Sequence, residues 1–211
     1  SLLAETNDIA AAQSLLPQIQ TQLALLPSNR DTVYANINFA NSLMQFQHRL
    51  NASTTPNGLL SRIETANIIA AALDQAKSLN DRRAISYALG TLGKLYEQNQ
   101  QFSISQDLTQ QALLTAQSID ASDIAYLWQW QLGRLLKAQA NTDGAIAAYT
   151  EAVNTLQALR GDLIAINSGL QFSFRESVEP VYRQLVTLLL SDSQSQDATK
   201  RQKRLKQAQA T

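Results

Sequence analysis

The 211-residue sequence has no cysteine, one methionine, one histidine, four prolines and seven glycines. Without cysteine there is no disulfide framework, no thiolate metal site and no thiol nucleophile. The same absence suits a reducing or an oxidising compartment, so cytoplasmic, secreted and cell-surface locations all stay open. Few prolines and glycines leave helices uninterrupted, and alanine, leucine and glutamine, all good helix formers, fill the chain. Seventeen basic residues cancel seventeen acidic ones, so no whole-chain field favours nucleic acid or an anionic membrane. Apolar runs are short and broken by Gln, Asn or charge, so none reads as a membrane span. A lone His48, no glycine-rich phosphate loop and no paired acidic motif leave little from which to build an active site. Glu97, Asp107, Glu151 and Glu176 are scattered and read as solvated. No catalytic residue, cofactor or metal is expected, and the chain is read as a non-enzyme.

What is present is repetition. Leu92-Gly93-Lys94-Leu95 returns as Leu132-Gly133-Arg134-Leu135, forty residues later. Stepping by forty from "QALLTAQSID" (Gln111 to Asp120) finds "AALDQAKSLN" and "EAVNTLQALR". Ala72, Ala112 and Ala152 then share one column, Leu73, Leu113 and Val153 a second, and Leu79, Ile119 and Leu159 a third. Small Thr65, Ser105 and Ala145 form a fourth. Each copy divides into two amphipathic helices, because spacings of three, four and seven fall on one helical face. Gly or Ala on that face lets two backbones approach as a tight hairpin requires. The turns are polar, "QNQQFS" and "QANTDGA", with Thr142 or Asp143 expected to cap the following helix. A hairpin of this kind cannot bury its apolar face alone, so copies stack and share one core.

Outside the regular copies, Ala40 takes the glycine's place in "YANINFANSLMQF", and Val186 takes it in "VYRQLVTLLL". About thirteen extra residues fall near the loop "NASTTPNG" (Asn51 to Gly58), and as many near "GDLIAINSGLQFSF". In the latter, Leu170, Phe172 and Phe174 alternate with polar residues as in an extended segment. Residues 8–26 read as a leading helix, kinked at or restarted by Pro17. The expected architecture is an all-α, right-handed solenoid over 1–190, with units about 31–80, 84–120, 123–160 and 175 onward. Residues 191–211 are expected to form a polar linker and a basic helix leading to a further domain. Met44 as the sole methionine and an uncapped ending "DATKRQKRLKQAQAT" suggest a piece of a longer protein.

The phrase Leu-Gly-x-x-Tyr, followed by two Ala seven residues apart, resembles the tetratricopeptide repeat (TPR). Gly133, Ala145, Tyr149 and Ala152 match well, and Gly93, Tyr96, Phe102 and Ala112 nearly as well. Gln129 and Leu89 stand where that family commonly has Trp, and Ser105 where it has Ala. The forty-residue period is longer than the usual thirty-four. It is similar to the long-helix variety found in kinesin light chain and in cell-polarity adaptors. A narrower resemblance covers most of residues 24–190, with "FRESVEPVYRQLV" its most distinctive part. This stretch looks like the repeat region ahead of the protease-like domain in bacterial, largely cyanobacterial, CHAT proteins. The resemblance implies a caspase-like domain downstream in the same protein, whose catalytic residues have no counterpart here.

A TPR array implies a concave groove lined by first helices. Counting two before and one after each small residue gives Asn38 and Asn41, Thr91 and Lys94, and Gln131 and Arg134. Tyr34, Tyr87, Trp130, Lys137 and Arg183 flank them. Asn and Gln pair with both peptide donors and acceptors, so this ladder suits an extended backbone. Lys94, Arg134 and Lys137 favour acidic groups, with Trp130 as aromatic anchor. Ile37 and Leu127 stand where a chaperone-tail clamp needs cations, which disfavours that ligand. The partner is expected to be a peptide or protein, including the chain's own further domain. Self-association is the first alternative. The second is nucleic acid on the basic run Lys200, Arg201, Lys203, Arg204 and Lys206, against which net neutrality argues. "RGD" (Arg160 to Asp162) reads as a helix end capped by Gly161, and "NAS" at Asn51 as a chance match to a glycosylation acceptor.

Overall fold

Between residues 62 and 142 a helix begins every twenty residues: at Arg62, Arg82, Phe102, Ser122 and Thr142. The computed structural model describes residues 9–49, 61–164, 171–192 and 198–210. Every element among them is a helix: α1 (Ile9–Ala24), α2 (Arg30–Arg49), α3 (Arg62–Ser78), α4 (Arg82–Gln98), α5 (Phe102–Gln117), α6 (Ser122–Ala138), α7 (Thr142–Ile164), α8 (Gln171–Asp192) and α9 (Ala198–Ala210).

One turn recurs between them. Asn80, Gln100, Asp120 and Ala140 each take a left-handed conformation, with φ of 53°, 61°, 51° and 60°. The next N–H in each case, from Asp81, Gln101, Ala121 or Asn141, reaches back to the carbonyl of Ala76, Tyr96, Ala116 or Leu136 at 2.9–3.0 Å. This is the Schellman closure, which satisfies carbonyls that the helix end leaves free. None of the four positions is glycine. The backbone therefore repeats every twenty residues, while the side chains repeat every forty because first and second helices pack differently.

Starts are capped where the turn places a short polar residue. Asp81 accepts from the Ala84 N–H at 3.0 Å. Asn141 accepts from the Gly144 N–H at 3.0 Å, so Asn141 is the cap of α7 rather than Thr142 or Asp143. The left-handed Ala140 fixes the start one residue earlier and leaves those two inside the first turn. Ala121, at the equivalent place before α6, offers no side-chain cap. Ser61 and Glu64 form a reciprocal capping box, the Ser61 N–H donating to the Glu64 carboxylate at 2.6 Å. Those hydrogen bonds hold the Glu64 carboxyl below the usual carboxylate range. Its contribution is present above the ordinary carboxylate pKa and is lost as pH falls through the lowered value.

The chain divides into two compact units, Ser1–Gln101 and Phe102–Thr211. In the first, α3 packs on both α2 and α4, and α2 also touches α4. The core there is Val33, Ile37, Ala40, Leu43 and Met44 against Ile69, Ala72, Ala76, Ala84 and Ala88. Helix α1 lays Leu16 and Leu23 on Phe39 and Leu43. It runs unbroken through Pro17. The Gln18 amide and the Thr21 hydroxyl donate to the Ser14 and Pro17 carbonyls, adding side-chain bonds around the residue that lacks its own N–H.

In the second unit α6 packs on α5 and α7, α7 on α8, and α8 on α9. Ala145, Ile146, Tyr149, Ala152, Val153 and Leu156 of α7 close against Val178, Val181, Leu185, Leu188 and Leu189 of α8. Every member of the columns Thr65, Ser105, Ala145 and Ala72, Ala112, Ala152 is buried. A Cβ built on Gly133 would stand 2.9 Å from the Tyr149 ring, so α6 and α7 meet at a distance that only glycine permits.

Two expectations need correction. The backbone of 171–174 opens α8 instead of running extended, and α7 continues through Gly161 to Ile164 without stopping there. An extended segment needs a neighbouring strand for its backbone groups, and none exists among the described residues. The extra residues lengthen helices instead: α7 and α8 have 23 and 22 residues, against 16 or 17 in α3 to α6. Leu170 and the 51–58 loop lie outside the described residues. The basic stretch forms helix α9, which packs back on the second unit. Arg204 pairs with Asp143, the Gln207 amide donates to Thr150 Oγ1 at 3.0 Å, and Ala208 joins the α7–α8 core.

Candidate functional site

The first-helix faces of the two units carry the candidate residues, and each unit arranges its own. In the first unit the Tyr34 and Tyr87 rings meet edge-to-face, with centroids 6.0 Å apart. Arg30 lies 5.6 Å from the Tyr34 ring centre and pairs with Asp81 at 2.8 Å. Tyr34 first and Asp81 second raise the Arg30 pKa, so its charge is fixed. The buried Tyr34 hydroxyl has no hydrogen bond of ordinary geometry to the described residues. Asn38 is exposed, whereas Asn41 and Lys94 are half-buried.

Thr91 and Gln131 are turned into the fold. They are only 3% and 2% exposed. The Gln131 amide donates to Thr109 Oγ1 at 2.8 Å, and Thr109 in turn donates to the Ser105 carbonyl at 2.7 Å. Thr91 meets the Asn41 amide at 3.5 Å. The physical reason is angular. At about 100° per residue, a position two before the small residue points about 200° away from it. In α6 one side is taken by α7 at Gly133 and the opposite side by α5 at Gln131. A first helix gripped from two sides leaves only the strip between them for a ligand.

The same column identifies a residue that the sequence reading passed over. Gln184 stands two before Val186, as Gln131 stands two before Gly133. It accepts from Trp130 Nε1 at 2.8 Å and from the Tyr149 hydroxyl at 3.1 Å, tying α8 to both α6 and α7. Thr109 and Tyr149 are themselves forty residues apart, so the two glutamines reach equivalent positions on successive second helices, Gln131 as donor and Gln184 as acceptor. Counting the column through to Val186 would have found it.

The strip left in the second unit carries Trp130, Arg134 and Lys137, spaced by four and three residues along one face of α6. Trp130 is half-buried, and Arg134 lies over its ring at 4.8 Å. That stacking fits a cation–π pair, and the indole N–H is already held by Gln184. The aromatic group is thus pinned on one edge and covered by a cation on its face. Lys137 is exposed; Arg183 is exposed and pairs with Glu179 one turn earlier on its own helix. This arrangement can receive a carboxylate and an adjacent apolar group. Among the described residues no group of three or more His, Asp or Glu side chains gathers for a metal, and no helix is long and apolar enough to cross a membrane. His48 is exposed.

No protein-family model matches the chain, and no curated protein matches its sequence. Solved structures do. BtubC (BKLC) from P. vanneervenii is 14% identical with a TM-score of 0.66, over 99% of this chain and 75% of that one. A Podosopora anserina protein of kinesin light chain type, with nearly identical TPR-like repeats, is 15% identical with a TM-score of 0.59, over 99% and 90%. A point variant of that protein is 15% identical and gives 0.60, over 99% and 88%. The fold is therefore an all-α helical repeat of the TPR-like kind.

Proposed function

We propose that this chain is a non-catalytic scaffold that binds a peptide or protein segment carrying acidic groups, through the exposed strip of its first helices. The supporting observation is the Trp130–Arg134 pair, with exposed Lys137 further along the same face of α6. A preorganised aromatic anchor covered by a cation suits a carboxylate next to an apolar residue, and binding energy concentrates at such anchors. The amides first read as a continuous ladder contribute less, since Gln131 and Thr91 are spent inside the fold. In the narrower reading, the partner is a caspase-like CHAT domain of the same protein, which the resemblance of "FRESVEPVYRQLV" supports. The scaffold then recruits to or regulates that domain.

Calorimetric titration of the chain with such a CHAT-type domain tests this. Binding that weakens about tenfold or more in the Arg134→Glu, Lys137→Glu double variant is the expected result. Binding unchanged in that variant contradicts the cationic strip, and no binding by the wild type contradicts the intramolecular partner. The basic-tail alternative loses ground because Arg204, one cation of the run, is already paired with Asp143 and its side chain is only 11% exposed.

A further inference from the structure

Helix α1 has an apolar stripe wider than the surface it covers. Leu16 and Leu23 are used against α2, but Leu15 and Ile19, one turn apart on the adjoining face, remain 39% and 42% exposed. Leu25 and Leu26, just beyond the helix, are exposed as well. Four of the large exposed apolar side chains thus fall within a short stretch of sequence, from Leu15 to Leu26. The others, Ile63, Leu79, Ile104, Leu114, Leu190 and Leu205, are at least nine residues apart in sequence, and Ile63 and Leu205 stand between charges.

The chemistry around the stripe narrows what covers it. From Ile9 to Asn29 there is no charged residue; the polar groups are Gln, Ser, Thr and Asn. A two-fold axis brings like positions close to like. Charges of one sign would repel across it, whereas a primary amide is donor and acceptor at once and can pair with its own copy. Gln22 lies on the same face as Leu15 and Ile19 and is exposed. A neutral, amide-edged apolar face is self-complementary, and a charged partner would find nothing on it to answer its charge.

We infer that α1 pairs with α1 of a second copy of this chain, through Leu15, Ile19 and Gln22, to form a two-fold dimer. A single helix pair buries less than the roughly 1,200–2,000 Å² of a stable interface, so the dimer is weak and concentration-dependent. This surface is separate from the cationic strip, and its test does not depend on ligand binding.

Sedimentation equilibrium of the chain is the experiment, comparing the wild type with charged variants. The wild type is expected to rise from monomer toward twice that mass between micromolar and millimolar concentration. The Leu15→Lys, Ile19→Lys variant and the Leu15→Glu, Ile19→Glu variant are each expected to stay monomeric with unchanged helix content. Mixed one to one, they are expected to associate again, because opposite charges now meet across the axis. Gln22→Lys and Gln22→Glu, at an exposed polar position that leaves the fold intact, repeat the comparison if the leucine-site variants lose structure. A wild type that remains monomeric throughout overturns the inference. So do variants that dimerise like the wild type, or a mixture that stays monomeric while the wild type dimerises.

Discussion

The two units use one backbone frame and fasten their hairpins differently. In the second unit, Gln131 and Gln184 each reach a hydroxyl on the preceding second helix, at Thr109 and Tyr149. In the first unit the corresponding second-helix position is Ile69, which has no polar atom to offer. Thr91 there has instead the amide of Asn41, at 3.5 Å. The small-residue column varies too: Gly133 of α6 faces a tyrosine, whereas in α2 of the first unit Ala40 occupies that place. A repeat therefore fixes where helices run and leaves open how tightly they are joined. The tighter unit is also the one that presents the pinned Trp130.

The largest expected effect lies at the small-residue column. Gly133→Val should cost about 3 kcal/mol, because the branched side chain has nowhere to go beside a tyrosine ring held by packing and by Gln184. Ala40→Gly should cost only about 1 kcal/mol, the helix-propensity difference plus a lost methyl. Chemical denaturation measures both; if the Tyr149→Ala background does not reduce the Gly133→Val cost, the close approach is not its cause.

Next comes the hydrogen-bond column. Gln184→Leu leaves the Trp130 indole N–H and the Tyr149 hydroxyl without their acceptor, for about 1–3 kcal/mol. Thr91→Val removes a single long contact and should cost under about 0.5 kcal/mol. Equal losses on denaturation would erase the distinction between the units.

The smallest effect concerns the turns, where the units agree. Ala140 and Gln100 adopt a left-handed backbone without being glycine. Ala140→Gly and Gln100→Gly should each raise stability by about 0.5–1 kcal/mol, since glycine adopts that conformation without a Cβ penalty. A destabilising result at both would show that these turns are not the strained points of the frame.

The hairpin register was legible in the sequence because burial leaves a periodic trace: Ala72, Ala112 and Ala152 are small for a packing reason that recurs. The twenty-residue backbone period was not legible. Its marker is a left-handed residue, and Asn, Gln, Asp and Ala share no side-chain property that announces it. Helix ends misled for a related reason, since Gly161 has the composition of a cap but sits inside α7, whose extra turns lie against no sequence landmark. Among the candidate site residues, Trp130, Arg134 and Lys137 remain on the surface strip, whereas Thr91 and Gln131 are drawn inward. A count from the small residue gives an angle, and only the neighbouring helix decides whether that angle faces solvent. Gln184 shows the converse: its column was readable, but the count stopped short of Val186, and the fold uses this glutamine as an acceptor.

The most direct test of the account uses the two indole N–H resonances of the chain as paired reporters. Trp128 is buried, whereas Trp130 lies half-exposed beneath Arg134. On titration with a CHAT-type domain, the Trp130 indole signal should shift or broaden while that of Trp128 stays in place, and Arg134→Glu should abolish the change. Binding that leaves Trp130 unmoved, with shifts confined to other residues, would contradict the account.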